Sequence, residues 1–300
     1  VNLNYWGCNQ YITQRALGAD LQTARSGILF AAFLKLMMPV IVVLPGIAAF
    51  VLYKEGVFTT EMTLNGEVVG DRAYPVLLNL LPVGLKGLSF AALTAAVVAS
   101  LAGKANSIAT IFTLDIYKKK INPAASENKQ VQVGRLVIII SMFMAVAIAP
   151  YLGIDKKGGF QYIQEYTGFV SPGIFAMFIL GFFWKKTTSN AALFATIGGF
   201  ILSVLFKMSP NYIDLEFLNS WGYAIQNADG VFEIPFIDRM GFVFVICVFF
   251  MYIISMYENR NGVTTNGLEV DRSMFRPTAA FTVGALLVIG FVAAMYGIYW

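Results

Sequence analysis

A lone lysine, Lys35, sits in the otherwise uncharged run GILFAAFLKLMMPVIVVLPGIAAFVLY. A run of that length can cross a bilayer, and an ammonium inside it is costly enough to mark a functional site by default. The alternatives are snorkelling to the interface or pairing with an acid elsewhere, and the central place of Lys35 in its run speaks against snorkelling. Three other stretches put polar residues at membrane depth. NLNYWGCNQ (2–10) mixes amides and a glycine with aromatics, AGKANS (102–107) interrupts an apolar helix, and QYIQEYTGFVSPGIF (161–175) joins Gln161, Gln164 and Glu165 to a Ser-Pro-Gly step. Helices broken near the membrane midplane bring unwound carbonyls and helix ends to a ligand, so all three are read as interruptions in a solute pathway. Small residues also line ordinary membrane helix contacts, which is the competing reading for any one Gly or Ser.

These residues are carried by apolar spans. Long hydrophobic runs place a first, broken span at about 1–16, and others at 27–53, 76–117, 134–152, 160–184, 188–207, 240–257 and 278–300. That makes eight membrane elements, which must be helical because lipid offers the backbone no hydrogen-bond partner. Lysine and arginine alternate between the loops. The set holding Lys118, Lys119, Lys120, Lys185, Lys186 and Arg260 outnumbers, at twelve to seven, the set holding Lys54, Arg72, Lys86, Lys156, Lys157, Lys207 and Arg239. The richer set is cytoplasmic by the positive-inside rule, which places the C-terminal end of the chain outside. The connections 55–74 and 209–239, rich in Asn, Asp, Gly and aromatics, read as solvated loops able to form short lids.

Composition removes most other functions. Hydrophobic residues make up 58% of the 300 residues and charged residues 13%, with mean hydropathy +0.69. There is no histidine, which rules out imidazole-based zinc sites, Ser-His-Asp and Cys-His nucleophiles, and histidine proton relays. Cys8 and Cys247 fit no metal-ligand spacing and read as small buried hydrophobes. The net charge of +4 is spread between spans, so no nucleic-acid partner is expected. The chain starts at Val1 with residues that already resemble the interior of a span, which leads to the expectation that it is the C-terminal portion of a longer protein.

Four stretches together, YWGCNQYITQRALGA (5–19), FLKLMMPVIVVLPGIAAF (33–50), AALTAAVVASLAGKANSIATIFTLDIYKK (91–119) and QYIQEYTGFVSPGIFAMFILGFFWKKTTSNAA (161–192), resemble the sodium/solute symporter family and its sodium/glucose cotransporter branch. The resemblance implies an all-α, LeuT-like inverted-repeat fold. In it, residues 1–184 form the second five-helix repeat and 185–300 the additional C-terminal transmembrane helices. A first repeat, required for function, lies outside this stretch. The implied setting is a bacterial plasma (inner) membrane, with sodium as coupling ion, a small sugar as solute and the lipid bilayer as surroundings.

A sugar offers hydroxyls that donate and accept, plus an apolar ring face, so its site needs amides, a charge and an aromatic platform. By resemblance, Asn2, Lys35 and Gln164 match positions that hydrogen-bond the sugar. Tyr5 matches the tyrosine that stacks on the ring and closes the inner gate, with Trp6 beside it. The competing readings are an interhelical hydrogen bond for Gln164 and an aromatic interface belt for Tyr5 and Trp6. Sodium prefers oxygen ligands. By resemblance, Ala96 matches a carbonyl donor, and Ala99 and Ser100 match a pair of hydroxyl ligands, the first of which is lost here to alanine. Lys104, one turn beyond Ser100, is expected to face an acid or cytoplasmic water, and proton coupling through carboxylates stays open. Asp115 is expected to pair with nearby lysines, and Glu165 to face away from the sugar and pair with a lysine not identifiable from the sequence. The implied activity is sodium-coupled symport of a hexose such as galactose or glucose. A carboxylate, amino acid, sialic acid or inositol is the alternative solute, and a channel or sensor the alternative class. No enzyme chemistry is expected.

Overall fold

A computed structural model describes residues 2–64, 66–151, 159–227, 230–265 and 267–299. Lys156 and Lys157 of the charge tally lie outside the described residues, and Gln161 is described in its backbone alone. The chain begins with two short helices, α1 (Asn2–Cys8) and α2 (Gln10–Leu17). The long α3 (Leu21–Lys54) follows, then α4 (Ala73–Leu78), α5 (Val83–Thr110) and α6 (Glu127–Ile148). After these come α7 (Gly159–Phe183), α8 (Ser189–Leu193), α9 (Gly199–Met208), α10 (Glu216–Asn219), α11 (Phe236–Arg260) and α12 (Ala279–Tyr299). α5 continues through 111–121, and α8 runs into α9 through 194–198, with the wider turns of a π-helix. Two small antiparallel hairpins, β1 (Thr63–Leu64) with β2 (Glu67–Val68) and β3 (Ile225–Gln226) with β4 (Phe232–Glu233), fold the two long connections. Among the described residues, seven helical stretches are long and apolar enough to cross a membrane.

The first expected span is interrupted in the structure, at Asn9. Its backbone carbonyl accepts from the amides of Ile12 and Thr13, and its Oδ1 accepts from the Tyr11 amide at 3.1 Å, so Asn9 ends one helix and caps the next. The other two expected interruptions are not breaks. α5 runs unbroken through 102–107, and α7 runs through Ser171, Pro172 and Gly173. In lipid an unwound segment leaves several backbone groups unsatisfied, whereas one glycine costs only about 1 kcal/mol in a helix, so continuity prevails. Pro172 withholds only its own N–H from Gly168, and the Ser171 hydroxyl donates to the Thr167 carbonyl at 2.7 Å across that turn. The expected span 76–117 also divides: α4 ends before Pro82, which precedes the first turn of α5, and the helix persists to Ile121.

Sharp caps set other boundaries. Asp20 opens α3, its Oδ1 accepting from the amides of Gln22 and Thr23 while Oδ2 accepts from the Thr23 hydroxyl at 2.6 Å. The Thr23 hydroxyl above all, helped by the Thr23 amide, holds the Asp20 carboxyl below its usual pKa. A depressed folded-state pKa contributes stability that is present above the unfolded carboxylate's pKa and lost as pH falls through the folded value. Amide exchange in the first turn of α3 is therefore expected to quicken as pH drops below about 4, after correction for intrinsic rates, and Asp20→Ala should remove that pH dependence. In the KKTTSN connection, Glu258 accepts from the Thr188 hydroxyl and from Asn190 Nδ2 (2.6 Å), and Asn259 Nδ2 donates to the Lys186 carbonyl at 2.8 Å. These bonds tie the start of α8 to the end of α11.

The chain divides into two compact units. One comprises residues 1–13 and 160–278, the other 14–159 and 279–300. In the first, Ala176 and Leu180 of α7, Ala191 and Ala195 at α8 and its continuation, and Val243, Cys247 and Met251 of α11 form the core. Gly173 and Gly199 let α7 approach α9 closely, because a Cβ at Gly173 would collide with the Ala195 carbonyl. In the second unit α3 packs on α4 and α12, and α5 on α6. A small core of Ala49, Phe58, Met62 and Val76 seats the first hairpin. The apolar stretches of α3, α5, α6 and α12 are otherwise bare, as expected of surfaces that face lipid or further protein.

Candidate functional site

The residues singled out by type and spacing fall into both units. Asn2, Tyr5, Trp6 and Gln164 belong to the first, and Lys35, Ala96, Ala99 and Ser100 to the second. On α1, Asn2, Tyr5 and Trp6 stand at positions i, i+3 and i+4, which puts an amide, a phenol and an indole on one helix face. The Tyr5 and Trp6 rings meet edge to face, 6.1 Å between centroids at 85°, so each restrains the other. Asn9 ends this helix one turn later.

Asn4, on the opposite side of α1, was not singled out by the sequence. Its Oδ1 is buried without a hydrogen-bond partner among the described residues, at a cavity of about 220 Å³ that it lines with Ser171, Pro172, Phe175, Met240 and Phe244. An amide turned into an apolar cleft is the kind of group a helix contact alone does not require. The signal in the sequence was the second amide of NLN, two residues after Asn2.

On α7, Gln164 is half-buried beside Glu165. The Glu165 carboxylate receives Lys207 from the end of α9 at 2.6 Å and Arg239 from the start of α11 at 3.3 Å, which identifies the partner left open above and adds an arginine to it. Phe169, one turn along, lies under the Arg239 guanidinium at 5.1 Å.

In the second unit Lys35 lies on an exposed face of α3, eleven residues beyond Ala24 and well inside the helix. Pro39, four residues on, has no N–H to give the Lys35 carbonyl, so an ammonium and a backbone acceptor not served by residue 39 occur at one level of the span. Pro45 repeats the device one and a half turns later, and neither proline was used in reading the sequence. Ala96, Ala99 and Ser100 occupy positions i, i+3 and i+4 of α5 and share an exposed face. Because α5 stays helical there, the Ala96 carbonyl is available only as the second lone pair of a helix acceptor, and Ser100 supplies the single side-chain oxygen of the trio. Lys104 is exposed and pairs with no acid among the described residues. Asp115 pairs with Lys119 at 2.6 Å across one turn, both well exposed. Among the described residues no cluster of His, Cys, Asp and Glu could hold a transition metal.

A sequence model described as "Sodium:solute symporter family" matches residues 2–199, which include Asn2, Tyr5, Trp6, Lys35, Ala96, Ala99, Ser100 and Gln164. The chain belongs to the sodium:solute symporter family. Over its whole length it is 40% identical to the sodium/glucose cotransporter of Vibrio parahaemolyticus, of which it covers 52%. It is 35% identical to the sodium/myo-inositol cotransporter of Bos taurus over 67% of the chain and 29% of that protein. With the human sodium/myo-inositol cotransporter 2 the identity is again 35%, over 68% of the chain and 31% of the relative. The chain thus spans about half the length of the bacterial relative and under a third of the mammalian ones. The family is one of transporters and not of enzymes, and the seven apolar helices among the described residues fit a multi-pass membrane protein.

Proposed function

We propose that this chain carries the second repeat (1–184) and the additional helices (185–300) of a sodium-coupled symporter that accumulates a hexose such as galactose or glucose across a bacterial plasma membrane. The observation that supports the reading is the face of α1 that presents Asn2, Tyr5 and Trp6 just before the helix ends at Asn9. The amide serves sugar hydroxyls, the phenol ring serves the apolar ring face, and the break at Asn9 gives the segment a joint about which to move as a gate. Gln164 adds a second amide, and Lys35 adds up to three strong donors. In this reading a first repeat completes both the sugar and the sodium sites.

Sodium, as co-transported solute, takes the Ser100 hydroxyl and the Ala96 carbonyl. With Ala99 in place of a hydroxyl its shell is completed by water or by the other repeat. Coupling requires that the sodium-bound state bind sugar better than the sodium-free state. Sodium therefore favours the outward-open arrangement, and its loss from Ser100 loosens the Tyr5 gate.

The decisive experiment is uptake of labelled galactose, glucose and myo-inositol into proteoliposomes containing the complete transporter, under sodium, potassium or proton gradients. Sodium-driven accumulation of hexose is expected. Ser100→Ala should raise the sodium concentration for half-maximal uptake about tenfold, and Ala99→Ser should lower it, each by the worth of one coordinating oxygen. Uptake indifferent to sodium overturns the coupling. The relatives named as myo-inositol cotransporters make a cyclic polyol the second reading, and preference for myo-inositol over both hexoses would select it.

A further inference from the structure

We propose that Glu165 is a positioning residue: held by Lys207 and Arg239, it sets the rotation of α7 about its own axis and so aims its neighbour Gln164. The inference rests on the proposed solute role of Gln164, and adds to it the device that orients that side chain.

The group is a charged cluster drawn from three helices of one unit. Glu165 Oε1 accepts from Lys207 Nζ at 2.6 Å and from Arg239 Nη2 at 3.3 Å, and the side chains are 16%, 35% and 5% exposed in that order. The Arg239 guanidinium is gripped twice by α7, at its edge by the Glu165 carboxylate and on its face by the Phe169 ring, 5.1 Å away and one turn along. Aromatic contacts continue from Phe169 to Tyr166 and to Phe200 of α9. As a source of stability such a cluster is poor, because desolvating three charges offsets most of their attraction and apolar side chains would serve as well. What charges supply and apolar groups do not is direction.

The rest of the α7 interface is apolar, with Phe175 stacked on Phe244 of α11 at 5.1 Å and Ala176 and Leu180 in the core, and carries no charged contact among the described residues. Gly168 faces Met240 of α11, and Gly173 faces Ala195 and Gly199. Contacts through glycine set how near two helices come, but offer no ridge that resists turning. Successive residues on an α-helix are about 100° apart, so Glu165, Phe169, Pro172 and Ala176 lie along one strip and Gln164 about 100° round from it. A side-chain tip about 6 Å from the axis moves about 2 Å when the helix turns by roughly 20°. A misplacement near 1 Å already costs a ligand contact dearly, so a carbonyl and amine meant for two sugar hydroxyls need the helix held to within a few degrees. The clamp and the half-buried amide are adjacent in sequence, and turning one turns the other.

The test uses the complete transporter in proteoliposomes with Glu165→Gln, Glu165→Asp and the parent. The first readout is hexose KM against Vmax per inserted molecule. The second is the rate at which a Gln164→Cys variant of each takes up a maleimide, counted above the label on Cys8 and Cys247 in the parent. Glu165→Gln keeps the shape and removes the charge. It is expected to raise KM about tenfold with Vmax within about twofold, and to change the labelling rate at least threefold. Glu165→Asp should restore both in part. Unchanged labelling overturns the proposal, as does changed labelling with unchanged KM, or a lower Vmax and lower membrane abundance with KM unchanged, which is a purely structural role. A parent that takes up no hexose overturns the hexose assignment instead. The labelling rate then decides whether Glu165 sets α7, and myo-inositol is the solute for the KM arm.

Discussion

Lys35→Ala is expected to lower Vmax/KM for hexose uptake by roughly a hundredfold, and Lys35→Arg to recover little of it. Hydrogen bonds from a charged donor contribute about 1.5–3 kcal/mol each, and losing one to a buried solute converts to between about ten- and 150-fold. Arginine keeps the charge but replaces a compact ammonium by a planar fork of different reach, so it does not restore the geometry. The measurement is concentration-dependent uptake in sodium, with protein abundance in the membrane as control. If Lys35 merely snorkels along α3, alanine would change Vmax/KM less than about threefold, because a snorkelling side chain is exchanged at little cost. The neighbourhood makes the larger effect the expected one. Lys35 lies within the 34-residue α3, and Pro39 withdraws the donor that would otherwise occupy its carbonyl.

Gly173→Ala is expected to be the most damaging single methyl in the first unit. The added Cβ meets the Ala195 carbonyl, and Gly199 lies just beyond it. Both obstacles are backbone, so no side chain can swing aside, and α7 must separate from the α8–α9 helix. Overpacking of this kind costs about 1–3 kcal/mol, equivalent to a fall of roughly 5–10 °C in the temperature of half-inactivation in detergent. Gly181→Ala is the matched control. It sits on the same helix with open space at its Cβ position, and should leave that temperature within about 2 °C of the parent. Equal behaviour of the two variants would mean that the close approach of α7 and α9 is not a feature of the molecule in detergent.

The two α7 glycines illustrate how far the chain could be read as a string. The Ser-Pro-Gly step was expected to interrupt a helix near the membrane midplane. In the structure Pro172 removes one hydrogen bond and Gly173 provides a close contact, while the helix continues. Lipid penalises an unwound segment more than it penalises one missing bond, so the expected break does not form. AGKANS misled for the same reason. Asn9 did interrupt its helix, and there the sequence contained the cause, since an asparagine can cap with its own side chain. The span boundaries moved by a few residues where caps lie outside the apolar run, as at Asp20 for α3 and Ser126 for α6.

The site divides in the same way. Helical class and membrane setting were legible from residue type and the family from four matching stretches, while Lys35 and Gln164 drew notice because a polar group in an apolar run is conspicuous whatever it touches. That Asp115 would pair with a lysine was legible too, since the partner lies four residues away and helix periodicity brings them together. Glu165 is held by groups from far along the chain. Lys207 and Arg239 come from 42 and 74 residues further along the chain, on two other helices, and no spacing rule connects them. The unsatisfied Asn4 carbonyl and the glycine-to-glycine contact of α7 with α9 belong to the same class. The sequence by itself determined which segments are helices and which side chains are too expensive to be idle, because hydrophobic period and the cost of burying charge act residue by residue. Only the tertiary structure decided which of those side chains hold one another, because that depends on which helix faces meet, and helices of nearly uniform apolarity carry no periodic mark of the face they will bury.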